Sequence, residues 1–123
     1  MRNTQPTYVA VVDDDERCSR ALGRLLRAAG MRSITYTSAE EFLADTKCPR
    51  FDCLVLGVQL GGMSGIELGR RLVATGCYAP FIYLTAHDDP DAGEEARAMG
   101  CAAFLRKRDS GADVIAAIRR VAL

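Results

Sequence analysis

FDCLVLGVQLGGMSG, residues 51–65, is the stretch whose reading decides the fold. Its apolar run from Cys53 to Leu56 is short and dense, the pattern of a fully buried strand in a parallel sheet rather than half of an exposed hairpin. The run stops at Gly57. Val58, Gln59 and Leu60 follow, and then Gly61, Gly62 and Gly65 surround Met63 and Ser64, a loop that needs permissive backbone before a helix begins. In an open parallel sheet such a loop lies at the carboxyl end of its strand, where these folds hold their ligands. The strand reaches that edge with a residue that has no side chain.

Working outward, the whole chain reads as one domain, residues 1–123, a length at which a single core is well formed. Hydrophobic residues at 49% and charged residues at 26% are those of an ordinary soluble globular protein. Sixteen Lys and Arg balance sixteen Asp and Glu, so no net field argues for nucleic acid or a membrane surface. No apolar run approaches the roughly 18 residues of a membrane span, and MRNTQPT does not read as a signal peptide; the expected location is cytoplasmic. The five cysteines, at 18, 48, 53, 77 and 101, show no C-x-x-C pair, which removes the usual zinc and thioredoxin-like signatures. Cys18 and Cys53 fall at apolar periodic positions and read as small hydrophobes.

Toward the amino terminus, Tyr8 to Val12 reads as a buried first strand that ends in three acids, Asp13, Asp14 and Asp15. From Glu16, apolar residues at Cys18, Ala21, Leu22, Leu25, Leu26 and Ala29 mark one face of a helix that Gly30 closes. Met31 to Tyr36 is more polar, as expected of an edge strand, and Ser38 caps a short helix through Leu43 with Glu41 three residues on. Pro49 then punctuates the chain. Toward the carboxyl terminus, Ser64 and Glu67 form a capping-box pattern for a helix with Ile66, Leu68, Leu72 and Val73, ended by Gly76. Pro80 to Leu84 is a fourth strand leading into Thr85, Ala86 and His87. The next helix, capped by Asp88 or Asp89 and started by Pro90, has only Ala92, Ala96 and Met99 as an apolar face around Gly93, and is expected to pack weakly and to be mobile. Ala102 to Leu105 is a fifth strand before Arg106, Lys107, Arg108 and Asp109, and a last helix from about Ser110 to Ala122 buries Val114, Ile115, Ile118 and Val121.

Five βα units in succession predict a three-layer α/β sandwich around a five-stranded parallel sheet. Right-handed crossovers favour the flavodoxin-like order 2-1-3-4-5, which places the first and third strands side by side at the switch point. Asp13, Asp14, Gly57, Thr85 and Lys107 then converge at the carboxyl ends of strands one, three, four and five.

Together, VVDDDE, LVLGVQLGGMSGIEL, the LTA of Leu84 to Ala86 and AAFLRK resemble the receiver domain of bacterial two-component response regulators over essentially the whole chain. The joint spacing is specific where each piece alone is weak. The resemblance implies an acid pair at Asp13 and Asp14 that holds Mg²⁺ with the backbone carbonyl of Gln59. It also implies a response triad of Thr85, the aromatic Phe104 and Lys107, and phosphotransfer to an aspartate that ends strand three. That last position is Gly57, which offers no oxygen nucleophile. A second departure is Arg108, where the family usually has a proline behind a cis bond; before a non-proline residue the cis form costs about 2.5 to 4 kcal/mol, so a trans bond is expected, with Lys107 less firmly aimed. Each residue also has a plainer reading: Asp13–Asp15 as a helix cap, Thr85 as a strand-end hydroxyl, Lys107 as part of a solvated basic patch, and His87 as a loop residue.

Three functions remain open from sequence. The first is an atypical receiver of a phosphorelay, not an enzyme, that binds Mg²⁺ weakly or not at all and works through protein partners. Those partners would be a histidine kinase, a phosphotransfer protein or an output domain, with a possible homodimer through the fourth helix, fifth strand and fifth helix, and no direct nucleic-acid or membrane binding. The second is an otherwise ordinary phosphorylatable regulator carrying a substitution at residue 57. The third is a small divalent-metal-dependent hydrolase or phosphotransferase using Asp13 and Asp14, for which no further general base is in view.

Overall fold

The computed structural model describes residues 6–45, 51–76, 79–109 and 111–122. Cys48, Pro49, Cys77 and Ser110 lie outside the described residues. Strands and helices alternate: β1 (Tyr8–Val12), α1 (Glu16–Ala28), β2 (Arg32–Tyr36), α2 (Ala39–Ala44), β3 (Cys53–Gly57), α3 (Gly65–Ala74), β4 (Phe81–Thr85), α4 (Pro90–Ala98), β5 (Ala103–Arg106) and α5 (Gly111–Val121). The strands form one parallel sheet in the order β2-β1-β3-β4-β5, the flavodoxin-like arrangement expected.

The two-residue period of a strand explains the layers. Val9, Val11, Cys53, Val55, Ile82 and Leu84 point to one face, where they pack with Leu22 and Leu26 of α1 and Val114, Ile115 and Ile118 of α5. Ala10, Val12, Leu54, Leu56, Phe81 and Tyr83 point to the other, against Phe42 of α2, Ile66, Leu68 and Leu72 of α3, and Ala92 and Ala96 of α4. Both faces of β3 and β4 are buried, so those strands are continuously apolar, whereas the edge strand β2 reads RSITY and is mostly half-exposed or exposed.

The expected caps form. Ser38 accepts from the Glu41 amide at 3.0 Å and Ser64 from the Glu67 amide at 3.1 Å. Asp89 rather than Asp88 caps α4, accepting from the Ala92 amide at 3.0 Å. Several details differ from the sequence reading: Ala21 and Leu25 of the expected apolar face of α1 are exposed and Val121 of α5 is only half-buried, and α3 and α4 each depart from it as well. Val73 is 48% exposed, because it follows Leu72 around the helix and turns away from the sheet. Helix α4 lies close against its neighbours: Ala92, Gly93 and Ala96 are buried, and Glu95 is bonded to Arg70 of α3. Its small residues permit a near approach rather than a loose one.

Helix α3 is seated by backbone contact. The Gly65 amide donates to the Val58 carbonyl at 2.9 Å, and a Cβ on Gly65 would lie 1.8 Å from the Gly57 carbonyl oxygen. The Tyr83 hydroxyl donates to the Gly65 carbonyl at 2.7 Å and occupies the space where a Gly69 side chain would stand, 2.2 Å from its Cβ position. Burial pushes the Tyr83 phenol above its ordinary range, keeping it a hydrogen-bond donor. We expect Gly65→Ala to destabilise the fold by about 3 kcal/mol, as overpacking against backbone does, measured by urea unfolding; an unchanged midpoint would contradict this seating of α3.

Candidate functional site

Three neighbouring acids at the end of β1 do three different things. Asp15 caps α1, accepting from the Cys18 amide at 3.2 Å, so the plain helix-cap reading is right for this residue. Asp14, exposed, accepts from the Gly61 amide at 3.2 Å and ties β1 to the loop after β3. Asp13 is buried, with 3% of its surface exposed, and a buried carboxylate needs a partner. Its partner is Lys107, from the other end of the chain. The ammonium lies 3.0 Å from Asp13 Oδ1 and 2.9 Å from Oδ2, with Asp15 Oδ2 at 3.8 Å.

Lys107 is thus drawn into the site and is not part of a solvated patch; its side chain is only 19% exposed. Among the described residues every peptide bond is trans, as expected for the bond before Arg108. The expected loosening of Lys107 does not follow, because its amide donates to the Thr85 carbonyl at 2.8 Å and fixes where the side chain starts. Burial pulls the Lys107 pKa down, but the hydrogen bond and charge of Asp13, aided by Cys18 and Asp15, more than offset it and leave it raised. Beside them the Cys18 thiol is pushed up, first by burial and then by the Asp13 charge. Cys53, buried in β3 as expected, is pushed up to about 12 by burial.

Gly57 ends β3 directly beside this pair. A Cβ there would stand 3.4 Å from Asp13 Cγ and Oδ1 and 3.1 Å from Leu60 Cδ2. Gly57 is not among the glycines with positive φ, so its backbone suits an L-residue. A side chain at 57 would point at Asp13 and meet Leu60, which partly covers the position and has to give by a few tenths of an ångström. The loop is braced from the side: Glu40 of α2 accepts from the Met63 amide at 2.9 Å, and that bond holds its carboxyl below the usual range. Gly62, at φ 78°, leaves room for Glu40. Gln59 is exposed in the same loop.

Thr85 ends β4 and is buried; its hydroxyl donates to the His87 carbonyl at 2.8 Å and the His87 amide returns a bond at 3.3 Å. This is the strand-end hydroxyl of the plainer reading, folded onto its own loop. Phe104 of β5 is half-buried and packs on Tyr83 with ring centroids 6.1 Å apart. The sequence reading missed Leu60 and Glu40. Neither had a local signal, whereas the Asp15 cap did, an acid three residues before Cys18 at the start of an apolar period.

The residues fit a divalent cation poorly. Of the two acids expected to hold it, Asp13 has both oxygens facing an ammonium and Asp14 is engaged by the Gly61 amide. Mg²⁺ held here would have to displace Lys107 or draw most of its ligands from water.

A family model for the response regulator receiver domain matches residues 9–119, and the chain belongs to that family. It is 38% identical over 112 residues to the transcriptional regulatory protein FixJ of Azorhizobium caulinodans, covering 90% of this chain and 53% of that protein. It is 33% identical over 117 residues to the response regulator protein TmoT of Ectopseudomonas mendocina, covering 95% and 53% respectively. The chain therefore spans about half the length of these relatives. Among solved structures it resembles FixJ-N, with a TM-score of 0.87 and 33% identity over 97% of this chain and 95% of that one. The protein is a receiver domain of a two-component response regulator.

Replacing Lys107 by Met leaves the Asp13 carboxylate buried and unpaired. We expect a loss of about 2 to 3 kcal/mol in urea unfolding at neutral pH, below the usual figure for breaking a buried pair because Lys107 keeps some contact with water. The pH dependence has a definite sign. A lysine with a raised folded pKa contributes stability that is complete below its unfolded value, near 10.5, and is lost as pH rises through the folded pKa. The part of the stability decline above pH 10.5 that Lys107 causes should be missing in Lys107→Met.

Proposed function

We propose that this receiver accepts no phosphoryl group and acts through protein–protein interaction. The observation that carries the reading is Gly57 at the strand end beside Asp13, with Leu60 over the position and Lys107 closed on Asp13. Phosphoryl transfer to a receiver needs an oxygen nucleophile in line with the donor, and glycine supplies hydrogen. Asp13 is no substitute, since its oxygens are both engaged by Lys107.

Such a receiver keeps one charge state. In the family Lys and Thr respond to the arriving phosphoryl charge; here Lys107 is paired with Asp13 and the Thr85 hydroxyl is hydrogen-bonded to the backbone of its own loop. The partners we propose are a histidine kinase, a phosphotransfer protein or an output domain, and a second copy through the α4-β5-α5 face, with the domain making no direct contact with nucleic acid and working in the cytoplasm. Ala103 of β5, half-buried, is the place to introduce charge as a test of that face; Ala96 is fully buried and unsuitable. Mg²⁺, if held by Asp13, Asp14 and the Gln59 carbonyl, would supply charge neutralisation at the strand ends. We expect no saturation below about 1 mM, because its ligands are shared with Lys107.

Intact mass after incubation with acetyl phosphate and Mg²⁺ tests the main reading. The expected result is an unchanged mass; a gain of one phosphoryl group overturns it. A second reading, an ordinary regulator substituted at residue 57, is favoured by the backbone of Gly57, which accommodates a side chain. Gly57→Asp distinguishes the two. Clustered carboxylates raise the affinity for Mg²⁺ and lower the metal-free stability through like-charge repulsion. If the variant becomes phosphorylated, the rest of the switch is intact and the second reading holds; if it is folded, binds Mg²⁺ and stays unmodified, the site has lost more than its acceptor.

A further inference from the structure

Gly57 is buried although it has no side chain of its own, so its neighbours fill the end of β3. Leu60 is one of them. Its Cδ2 lies 3.1 Å from the point where a Gly57 Cβ would stand, and Asp13 Cγ and Oδ1 lie 3.4 Å from the same point. The place of the family's acceptor side chain thus has a carboxylate and a methyl group as its nearest neighbours.

Leu60 is held there from both sides of the chain. Before it, the Val58 amide donates to the Leu84 carbonyl at 3.1 Å and the Val58 carbonyl accepts from the Gly65 amide at 2.9 Å. After it, the Gly61 amide donates to Asp14 at 3.2 Å and the Met63 amide to Glu40 at 2.9 Å. The ends of β1 and β4, helix α2 and the start of α3 therefore all grip this loop. The Leu60 side chain is half-buried and packs on the apolar cluster that includes Ile66 and Leu68 of α3. With its backbone fixed, Leu60 makes room only by changing rotamer, and that gives up apolar contact.

We propose that Leu60 is a positioning residue that keeps the end of β3 closed and sets how well a side chain restored at residue 57 can stand beside Asp13. Residue 57 is then not the sole determinant of whether the site can work. Asp14, expected as a metal ligand, holds the loop that holds Leu60. A cation at Asp13 meets the same obstacle, because Mg²⁺ keeps several of its waters and a leucine methyl group offers them no hydrogen bond. The bearing of Leu60 on phosphotransfer rests on the reading of Gly57 given above, whereas its contact with Gly57 does not.

Two measurements test this. In the unaltered, isotopically labelled chain, nuclear Overhauser contacts are expected between the Leu60 methyl protons and the α-protons of Gly57; their absence overturns the proposal without any variant that could misfold. The second measurement is the Mg²⁺ affinity, by calorimetry, of Gly57→Asp with and without Leu60→Ala. The double variant should bind Mg²⁺ about fivefold more tightly, the size of effect expected when one side chain no longer has to be driven off its rotamer. Val73→Ala, a truncation on the exposed side of α3, should leave the affinity of Gly57→Asp as it is. Equal affinity with and without Leu60→Ala, no binding in either, or the same gain from Val73→Ala overturns the proposal. Phosphorylation of the unaltered chain by acetyl phosphate would overturn the reading of Gly57 and leave both of these measurements standing, so the two fail separately.

Discussion

The bond between Lys107 and Asp13 is the interaction on which the rest of the site depends. It joins the end of the first strand to the residue after the last, 94 positions apart in sequence. A carboxylate this well buried is tolerable only because a cation reaches it, and a cation this well placed is available only because β4 holds the Lys107 amide. With no carboxylate at position 57 to share it, the ammonium has two oxygens of one aspartate as its main partners. The buried charge of Asp13 is thereby neutralised from within the chain.

The fold was legible because its signals are periodic. Apolar runs such as YVAVV and CLVLG, short and β-rich, read as buried strands, and Ser38 and Ser64 announce helix starts by local chemistry. The site was legible where a motif names a side chain, as with Asp13, Asp14, Thr85 and Lys107. It was not legible where geometry depends on what approaches through space. Nothing near Leu60 in the sequence indicates that it covers Gly57, and nothing near Glu40 indicates that its carboxylate braces a loop some twenty residues later. The packing of α4 has the same origin: small residues lower helix propensity, yet here they let the helix lie close to α3 and β5.

The arginine at 108 illustrates how a local departure is absorbed. A trans bond there was foreseeable from the energetics of the peptide group, but the fate of the lysine before it was not, because the backbone bond from Lys107 to Thr85 decides it. Local rules fix the conformation of one bond. Pairing across the sheet decides where the side chain goes.

The glycines around the loop after β3 differ in what they permit over time. Gly65 meets the backbone of Gly57 and Gly69 meets the hydroxyl of Tyr83, so neither can gain a side chain without moving a helix. Gly57 has an ordinary backbone and a neighbour, Leu60, that can yield. Sequence drift is therefore closed at the positions that shape the domain and open at the one that would define its chemistry. A lineage carrying this chain could gain or lose an acidic side chain at residue 57 while the architecture around it stayed fixed.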